Sequence, residues 1–418
     1  MTALTAVRLG DGLLSRTNNR QGMSDANWKV LNAPAEPALR AVADDLRRVI
    51  PDLSISSDPA WIADSHGWPE NPILLLVQRD SRGALGAATF TISKSTLVHR
   101  SISLRRPPVR QYTLSGGIVS GRTVDAEAVA GCFEALALAI PSDGVVRLSA
   151  IPVGSPLHEQ LRDPQSDLQR RFYVLPWGEE TLHCRILWDG SFEKYLSSLG
   201  KVSRKDLRRN WRALLEDPTI RCEVRAFRAV DDVDQFLRDS LAISEKTYQS
   251  RKLGIGLAAS PASERAVRGA ASLGRFLGYV MYIDGTPVAF EYSVASGDTC
   301  LMKEGGYDPA WADRHVASVL FLEALRDFER IGLPVKRLDL MPTVNLFKLR
   351  TANDLLRVRH FYLFPRNRRG AGRFLTLGAV QGLSQTVRKF IGSRDRELDR
   401  YRARALAKAR ERHTAAVE

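Results

Sequence analysis

Strand-like and helix-like periodicities alternate along this chain in an order that occurs twice. After the amphipathic run PALRAVADDLRRVI, the stretch ILLLVQRDSRGALGAATFTIS reads as two apolar strands separated by RDSRG, a hairpin signal. A third strand-like run lies near VRQYTLSGG. DAEAVAGCFEALALAI then reads as a helix with Asp125 at its N-cap and Pro141 beyond its end. The β-branched run VVRLSAIP and then LQRRFYVLPW complete a β-β-β-α-β-β order.

The same order returns in RFLGYVMYIDGTPVAFEYSVASGDTCLMKEGGYD, where Asp284-Gly285 is a two-residue hairpin signal and Ser296 to Asp298 a further turn. The helix HVASVLFLEALRDFERI runs to Gly332, a natural C′ residue, with Pro334 just after it. VKRLDLMP and VRHFYLFP follow as strands. VVRLSAIP (145–152) and VKRLDLMP (335–342) share Val, Arg-Leu and Pro at an offset of 190, and Gly116-Gly117 precede Gly305-Gly306 by 189. Two matches at nearly one offset inside one element order indicate an internal duplication.

The expected organisation is a loose polar arm over residues 1–30, a first copy over 31–178, a second over 179–365 and a basic helical tail over 366–418. Residues 182–252 read as strand, two short helices, strand and long helix. The Gly/Ala/Ser-rich stretch 253–272 reads as a loop and candidate lid.

Composition narrows this picture. With 44% hydrophobic and 26% charged residues over 418 positions, the chain has ordinary globular composition and the length of two domains. Its four cysteines lie far apart, with no C-x-x-C pair and no histidines at ligand spacing, so no zinc site or disulfide framework is expected. No apolar run approaches the ~20 residues of a spanning helix, and the first thirty residues hold no apolar h-region, so a cytoplasmic protein is expected. Of the net charge of +14, residues 366–418 carry +9, from fourteen Lys/Arg against five Asp/Glu. That tail is either a solvated helix docked on the body or a contact for an anionic membrane or acidic partner.

Three segments, SRKDLRRNWRALLED, GGYDPAWADRHVASVLFLEAL and RLDLMPTVNLFKLR, taken in this order and spacing, resemble the GNAT superfamily of acyltransferases. The resemblance is to its branch of tandem GNAT folds, which holds acetyltransferases linked to cellulose and exopolysaccharide biosynthesis and the FemAB-like aminoacyl transferases. It covers residues 180–365 by motif and the first copy by element order. It implies an α+β fold of two tandem GNAT-like copies, with mixed, mostly antiparallel sheets flanked by helices. It also implies acyl-CoA as co-substrate, no metal, and an acceptor amine or hydroxyl on an envelope polysaccharide or lipid precursor, with the protein either free in the cytoplasm or peripheral at the inner membrane face. One departure stands out: the family's phosphate loop carries glycine before the central helix, and this chain has Asp313-Arg314-His315-Val316-Ala317-Ser318.

In such folds the central helix points its first N–H groups at the donor's pyrophosphate, which assigns Arg314, His315, Val316, Ala317 and Ser318 to donor binding. The strand ending at Gly305-Gly306 splays from its neighbour and opens a slot for the thioester. Glu304 and Asp308 flank that break as base candidates, and Tyr307 is either a proton donor to the thiolate or a wall residue. Asp339, a carboxylate among apolar neighbours, either pairs with Arg337 or Arg350 or meets the substrate. Lys348, after Phe347, matches the family's aromatic-lysine pair and can meet an acceptor phosphate or the developing oxyanion. Arg204, Arg208 and Arg212 form one basic helical stripe, which is solvated, binds an anionic acceptor or binds nucleic acid such as transfer RNA, with Tyr248 and Arg251 at the same cleft. Two alternatives remain: a FemAB-like transferase using aminoacyl-tRNA, and a catalytically silent scaffold that binds a partner through its basic tail.

Overall fold

The computed structural model describes residues 27–95, 108–247, 250, 257, 261–342, 344–391 and 400–407. The first part of the chain forms β1 (Asn27–Asn32), α1 (Glu36–Val49), α2 (Pro59–His66), β2 (Ile73–Asp80), β3 (Gly83–Ser95) and β4 (Val109–Ser120). Then come α3 (Ala126–Ala139), β5 (Val145–Pro152), α4 (Pro156–Arg162), α5 (Asp167–Arg171) and β6 (Phe172–Leu187). The second part forms α6 (Phe192–Ser198), α7 (Lys201–Leu215), β7 (Cys222–Phe227), α8 (Val233–Ser244), α9 (Pro261–Ser272), β8 (Phe276–Ile283), β9 (Thr286–Ser296) and β10 (Thr299–Tyr307). It ends in α10 (Val316–Arg330), β11 (Arg337–Asp339), α11 (Leu346–Thr351), β12 (Asp354–Pro365) and α12 (Arg368–Ile391).

All these strands join one 12-stranded sheet in the order β1-β2-β3-β4-β5-β12-β6-β11-β10-β9-β8-β7. Each copy thus gives its last strand to the other: β12 pairs antiparallel with β5, and β6 pairs antiparallel with β11. β6 and β12 also pair with each other from Phe172↔Pro365 to Arg185↔Asp354, and this ladder is the seam of the molecule. The expected boundary at 178/179 falls inside β6, so no linker separates the copies.

Both faces of the sheet are covered, which explains near-continuous apolar strands such as ILLLV in β2 and FLGYVMYI in β8. Leu74 and Leu76 of β2 pack under α3 with Phe133 and Leu136, while Ile73, Leu75 and Val77 pack under α1 with Leu39, Val42 and Leu46. In the second copy, Val319, Leu320 and Phe328 of α10 lie on Leu277, Met281, Cys300 and Leu338. Phe236 of α8 and Val267 of α9 cover Phe276, Val280 and Tyr292 on the opposite face, joined there by Trp61 and Ile62 of α2 from the first copy.

Local signals behave as their chemistry dictates. Asp125 Oδ1 accepts the Ala128 N–H at 2.8 Å and caps α3. Asp284 and Gly285 both take positive φ (50° and 79°), as a two-residue hairpin requires. Three expectations are revised. The end of the presumed arm is β1, an edge strand on β2. The lid stretch contains α9, whose Val267 and Ala270 are fully buried. VKRLDLMP shortens to three paired residues, because Asp339 Oδ1 accepts the Met341 N–H at 2.7 Å and turns the chain out of the sheet with Met341 at φ 65°.

The parallel pairs are equally short in both copies. β4 meets β5 only at Gln111↔Val145 to Thr113↔Arg147, and β10 meets β11 only at Thr299↔Arg337 to Leu301↔Asp339. Beyond Leu301, β10 runs on to Tyr307 with no strand of the described residues on its β11 side, and a slot opens between β10 and β11. In the first copy, Gly116 sits at φ 70°, and a Cβ there would lie 1.9 Å from the Ser56 carbonyl oxygen, whereas Gly117, at φ 85°, has open space around it. Gly116→Ala should lower the unfolding free energy by more than about 2 kcal/mol in urea titrations. Gly117→Ala, with backbone strain but no clash, should cost only about 1 kcal/mol.

Candidate active site

The second slot is lined by groups that four elements bring together. Asp339 ends β11, and its carboxylate Oδ1 lies 2.6 Å from His183 Nε2 on the exchanged strand β6. Arg185, two residues on, directs its charge to Asp354 Oδ2 at 2.7 Å while still acting on Asp339. Burial alone raises the Asp339 carboxyl, but the His183 hydrogen bond and charge, the Met341 N–H and Arg185 outweigh it and hold it below the ordinary range.

Lys348 is placed by α11. Asn345 caps this helix by accepting the Lys348 N–H at 2.8 Å, Phe347 packs edge-on against Phe321 of α10, and the buried Tyr195 hydroxyl donates to Thr351 O at 2.9 Å. The ammonium reaches the Met341 carbonyl oxygen at 3.4 Å. Burial pushes Lys348 down, and the neighbouring Cys184, Asp339 and Glu304 partly restore it. Glu304 stands at a bulge of β10 between Met302 and Glu304 in the β9 register. Burial pushes its carboxyl up, while Lys303 and Lys348 pull it down. Lys303, the bulged residue, lies 5.0 Å over the ring of Trp61, so the first copy walls this side of the site.

Glu291 of β9 pairs with Gly305 of β10. Its Oε1 is fully covered and has no hydrogen-bond partner, and burial pushes the carboxyl up to about 8.

The remaining expected residues lie apart from this cluster. Asp308 caps the turn before α10 by accepting the Ala310 N–H at 3.0 Å, and it pairs with Lys246 at 2.7 Å. Tyr307 is 40% exposed at the end of β10. At the start of α10, His315 takes the left-handed conformation (φ 56°) where the family pattern has glycine, and its carbonyl accepts from Ser318 and Val319 N–H. The first-turn N–H groups of Val316 and Ala317 are thus left for an external acceptor. Arg314 reaches back to Asp217 at 2.6 Å. Arg204, Arg208 and Arg212 share the outer face of α7 with Lys201, Lys205 and Arg209. α7 packs on α10, where Trp211 donates to Glu323 Oε1 at 2.6 Å, and Arg208 pairs with Glu193. Tyr248 and Arg251 lie outside the described residues.

Sequence reasoning missed His183, Lys303 and Glu291. A lone histidine in HCRIL carries no local signal, because only the strand exchange sets it beside Asp339. Of the two arginines weighed against substrate contact as partners for Asp339, Arg337 pairs with Asp298 and Arg350 stacks on Tyr401. Among the described residues, no group of three or more His, Cys, Asp or Glu is placed to hold a metal, and no helix is long and apolar enough to cross a membrane.

Comparison with known proteins agrees with this geometry. Residues 201–349 match the family model described as an acetyltransferase (GNAT) domain, and they span α7 through Lys348. The crystal structure of FemX superposes with a TM-score of 0.54 at 10% identity, covering 81% of this chain and 98% of that one. A tandem GNAT protein from the clavulanic acid biosynthesis pathway gives a TM-score of 0.42 at 10% identity over 81% of this chain and 98% of its own. A conserved protein of unknown function from Bacteroides thetaiotaomicron gives 0.48 at 11% identity over 78% and 97%. No curated protein matches. The chain is an acyltransferase with a GNAT acetyltransferase domain. Its duplicated architecture has a fold shared with FemX.

The Glu291 carboxyl makes a pH-dependent prediction. Between about 4.3, the ordinary glutamate value, and about 8, the unfolded chain ionises this group while the folded chain keeps it protonated, so stability falls across that window. Glu291→Gln should therefore raise the melting temperature by a few degrees at pH 8 to 9 in differential scanning fluorimetry, with the gain vanishing near pH 4.

Proposed function

We propose that the protein transfers an acetyl or longer acyl group from acyl-CoA to an amine or hydroxyl, by direct attack in a ternary complex. The observation that carries this reading is the slot beyond Leu301↔Asp339, with unpaired β10 backbone on one wall and Lys348 and Glu304 at its mouth. Acyl-CoA supplies a thioester whose carbonyl carbon is attacked and whose thiolate leaves. The backbone N–H groups beyond Leu301 and the Lys348 ammonium are suited to hold the negative charge that develops on the carbonyl oxygen. The N-terminus of α10 is suited to the donor's phosphates, with the left-handed His315 keeping the helix start free of a side-chain cap.

The acceptor side is the cleft walled by Trp61 of the first copy, with Lys303 stacked on it. The paired cations Lys303 and Lys348 favour an acceptor that carries negative charge, such as a nucleotide-linked sugar or a lipid headgroup. The resemblance to polysaccharide-associated acetyltransferases supports an acceptor of the cell envelope, handled on the cytoplasmic side. A second reading, aminoacyl-tRNA as donor, draws on the FemX-like fold and on the basic face of α7. Retention of tRNA that falls steeply with salt would favour it.

Acetyl-CoA and longer acyl-CoAs at about 100 times Kd should stabilise the fold by about 2.7 kcal/mol, visible as a rise in melting temperature. Lys348→Met should keep that rise and lose about 100-fold in kcat for thiol release. Absence of any rise with every acyl-CoA tested would overturn the acyl-CoA reading.

A further inference from the structure

Resting on the acyl-transfer reading above, we propose that His183 is the catalytic base that takes the proton from the attacking amine or hydroxyl, and that Asp339 is its positioning residue. The Asp339 carboxylate, held below its ordinary range, stays ionised and can only accept a hydrogen bond. Its 2.6 Å contact therefore places the ring proton on His183 Nε2 and the lone pair on Nδ1. Among the described residues Nδ1 has no hydrogen-bond partner, and the side chain is 15% exposed, so the lone pair is neither spent nor sealed.

The other candidate bases are worse placed. A carboxylate held low, as in Asp339, is a weak proton acceptor. Asp308 is committed to a cap and to Lys246. Glu304 has two ammonium groups acting on it, from Lys303 and Lys348, and these favour its use as their counter-charge.

The pair also belongs to one slot only. VVRLSAIP aligned on VKRLDLMP puts Ser149 where Asp339 stands. Leu148↔Phe361 corresponds to Leu338↔Ile186, and three residues back along each strand Val358 takes the place of His183. The His-Asp pair thus stands beside Lys348 alone, whereas in the first copy Ser149 replaces the aspartate and His360 of β12 accepts the Ala150 N–H at 3.1 Å with no carboxylate in its place.

In the step proposed, the acceptor's N–H or O–H proton passes to Nδ1 as its lone pair forms a bond to the thioester carbonyl carbon. The C–S bond then breaks, and the imidazolium returns the proton to the departing thiolate, giving acylated acceptor and free CoA thiol. Nothing further is consumed.

Two measurements on the full chain test this. Thiol release from acetyl-CoA with glucosamine as the acceptor probe should fall at least 100-fold in kcat for His183→Ala, with the melting-temperature rise on acetyl-CoA retained and partial recovery on adding imidazole. A loss below tenfold, or a loss without rescue while Glu304→Gln abolishes turnover, overturns the proposal. The second measurement needs no turnover: long-range ¹H–¹⁵N NMR should show the neutral His183 ring protonated at Nε2, and Asp339→Asn should mix the tautomers. An Nδ1-protonated ring in the parent protein overturns the proposal even if glucosamine proves a poor acceptor. A parent protein that gains no stability from any acyl-CoA contradicts the acyl-CoA reading instead, and the tautomer result stands apart from that outcome.

Discussion

The ladder between β6 and β12 is the constraint on which the rest of this molecule depends. It runs antiparallel from Phe172↔Pro365 to Arg185↔Asp354. Because each of these strands also pairs with a strand of the opposite copy, neither half can close its own sheet. Unpaired backbone groups in the middle of a covered sheet are costly, so the exchange ties folding of the two copies together. It also determines which side chains meet. His183 belongs to the first copy by chain order and to the second by location, and it reaches Asp339 only because β6 lies against β11.

The same constraint explains how charge is tolerated at the centre of the fold. Asp339, Lys348 and Glu304 are all largely withdrawn from water, a situation that ordinarily neutralises a carboxylate or an ammonium. Here each has a partner supplied by a different element: His183 from β6, the Met341 carbonyl from the turn after β11, and Lys303 from the bulge in β10. Asp339 is held low against its burial, whereas Glu304 is raised because burial outweighs its cations. Two carboxyl groups of one slot are therefore driven in opposite directions, a division that suits one to orientation and the other to charge balance.

Much of the architecture was legible in the residues because it rests on local chemistry. The twofold β-β-β-α-β-β order, the Asp125 cap, the Asp284-Gly285 turn and the long apolar helix ending at Gly332 all follow from propensity and period. Lys348 and Asp339 stood out for their surroundings in sequence, a conspicuous lysine after an aromatic and a carboxylate among apolar residues. What could not be read was register between distant strands. No local signal tells β6 to leave β5 for β11, so His183 had no visible partner. The helix α9 was hidden by its Gly and Ser residues, which weaken a helical reading, while its alanines favour a helix that forms where Val267 and Ala270 find a core.

The duplication allows the two slots to be compared inside one chain, and the differences concentrate where chemistry would occur. Ser155 caps α4 by accepting the His158 N–H as Asn345 caps α11 by accepting that of Lys348, so both copies keep the capped turn after the fifth strand. The residue the turn presents has changed: His158 is 2% exposed, next to Glu159 and edge-on to Phe361. The glycine pairs have diverged as well. Gly116 takes a left-handed bulge pressed against Ser56, with Ser57 Oγ donating to its carbonyl at 2.6 Å, while Gly305 and Gly306 stay in regular register with Glu291 and Phe290. In the first copy the splayed strand is bonded to its neighbouring turn, and the lysine position holds a buried histidine. The first copy still borders this cluster, since β6 brings His183 to Asp339 and α2 brings Trp61 to Lys303.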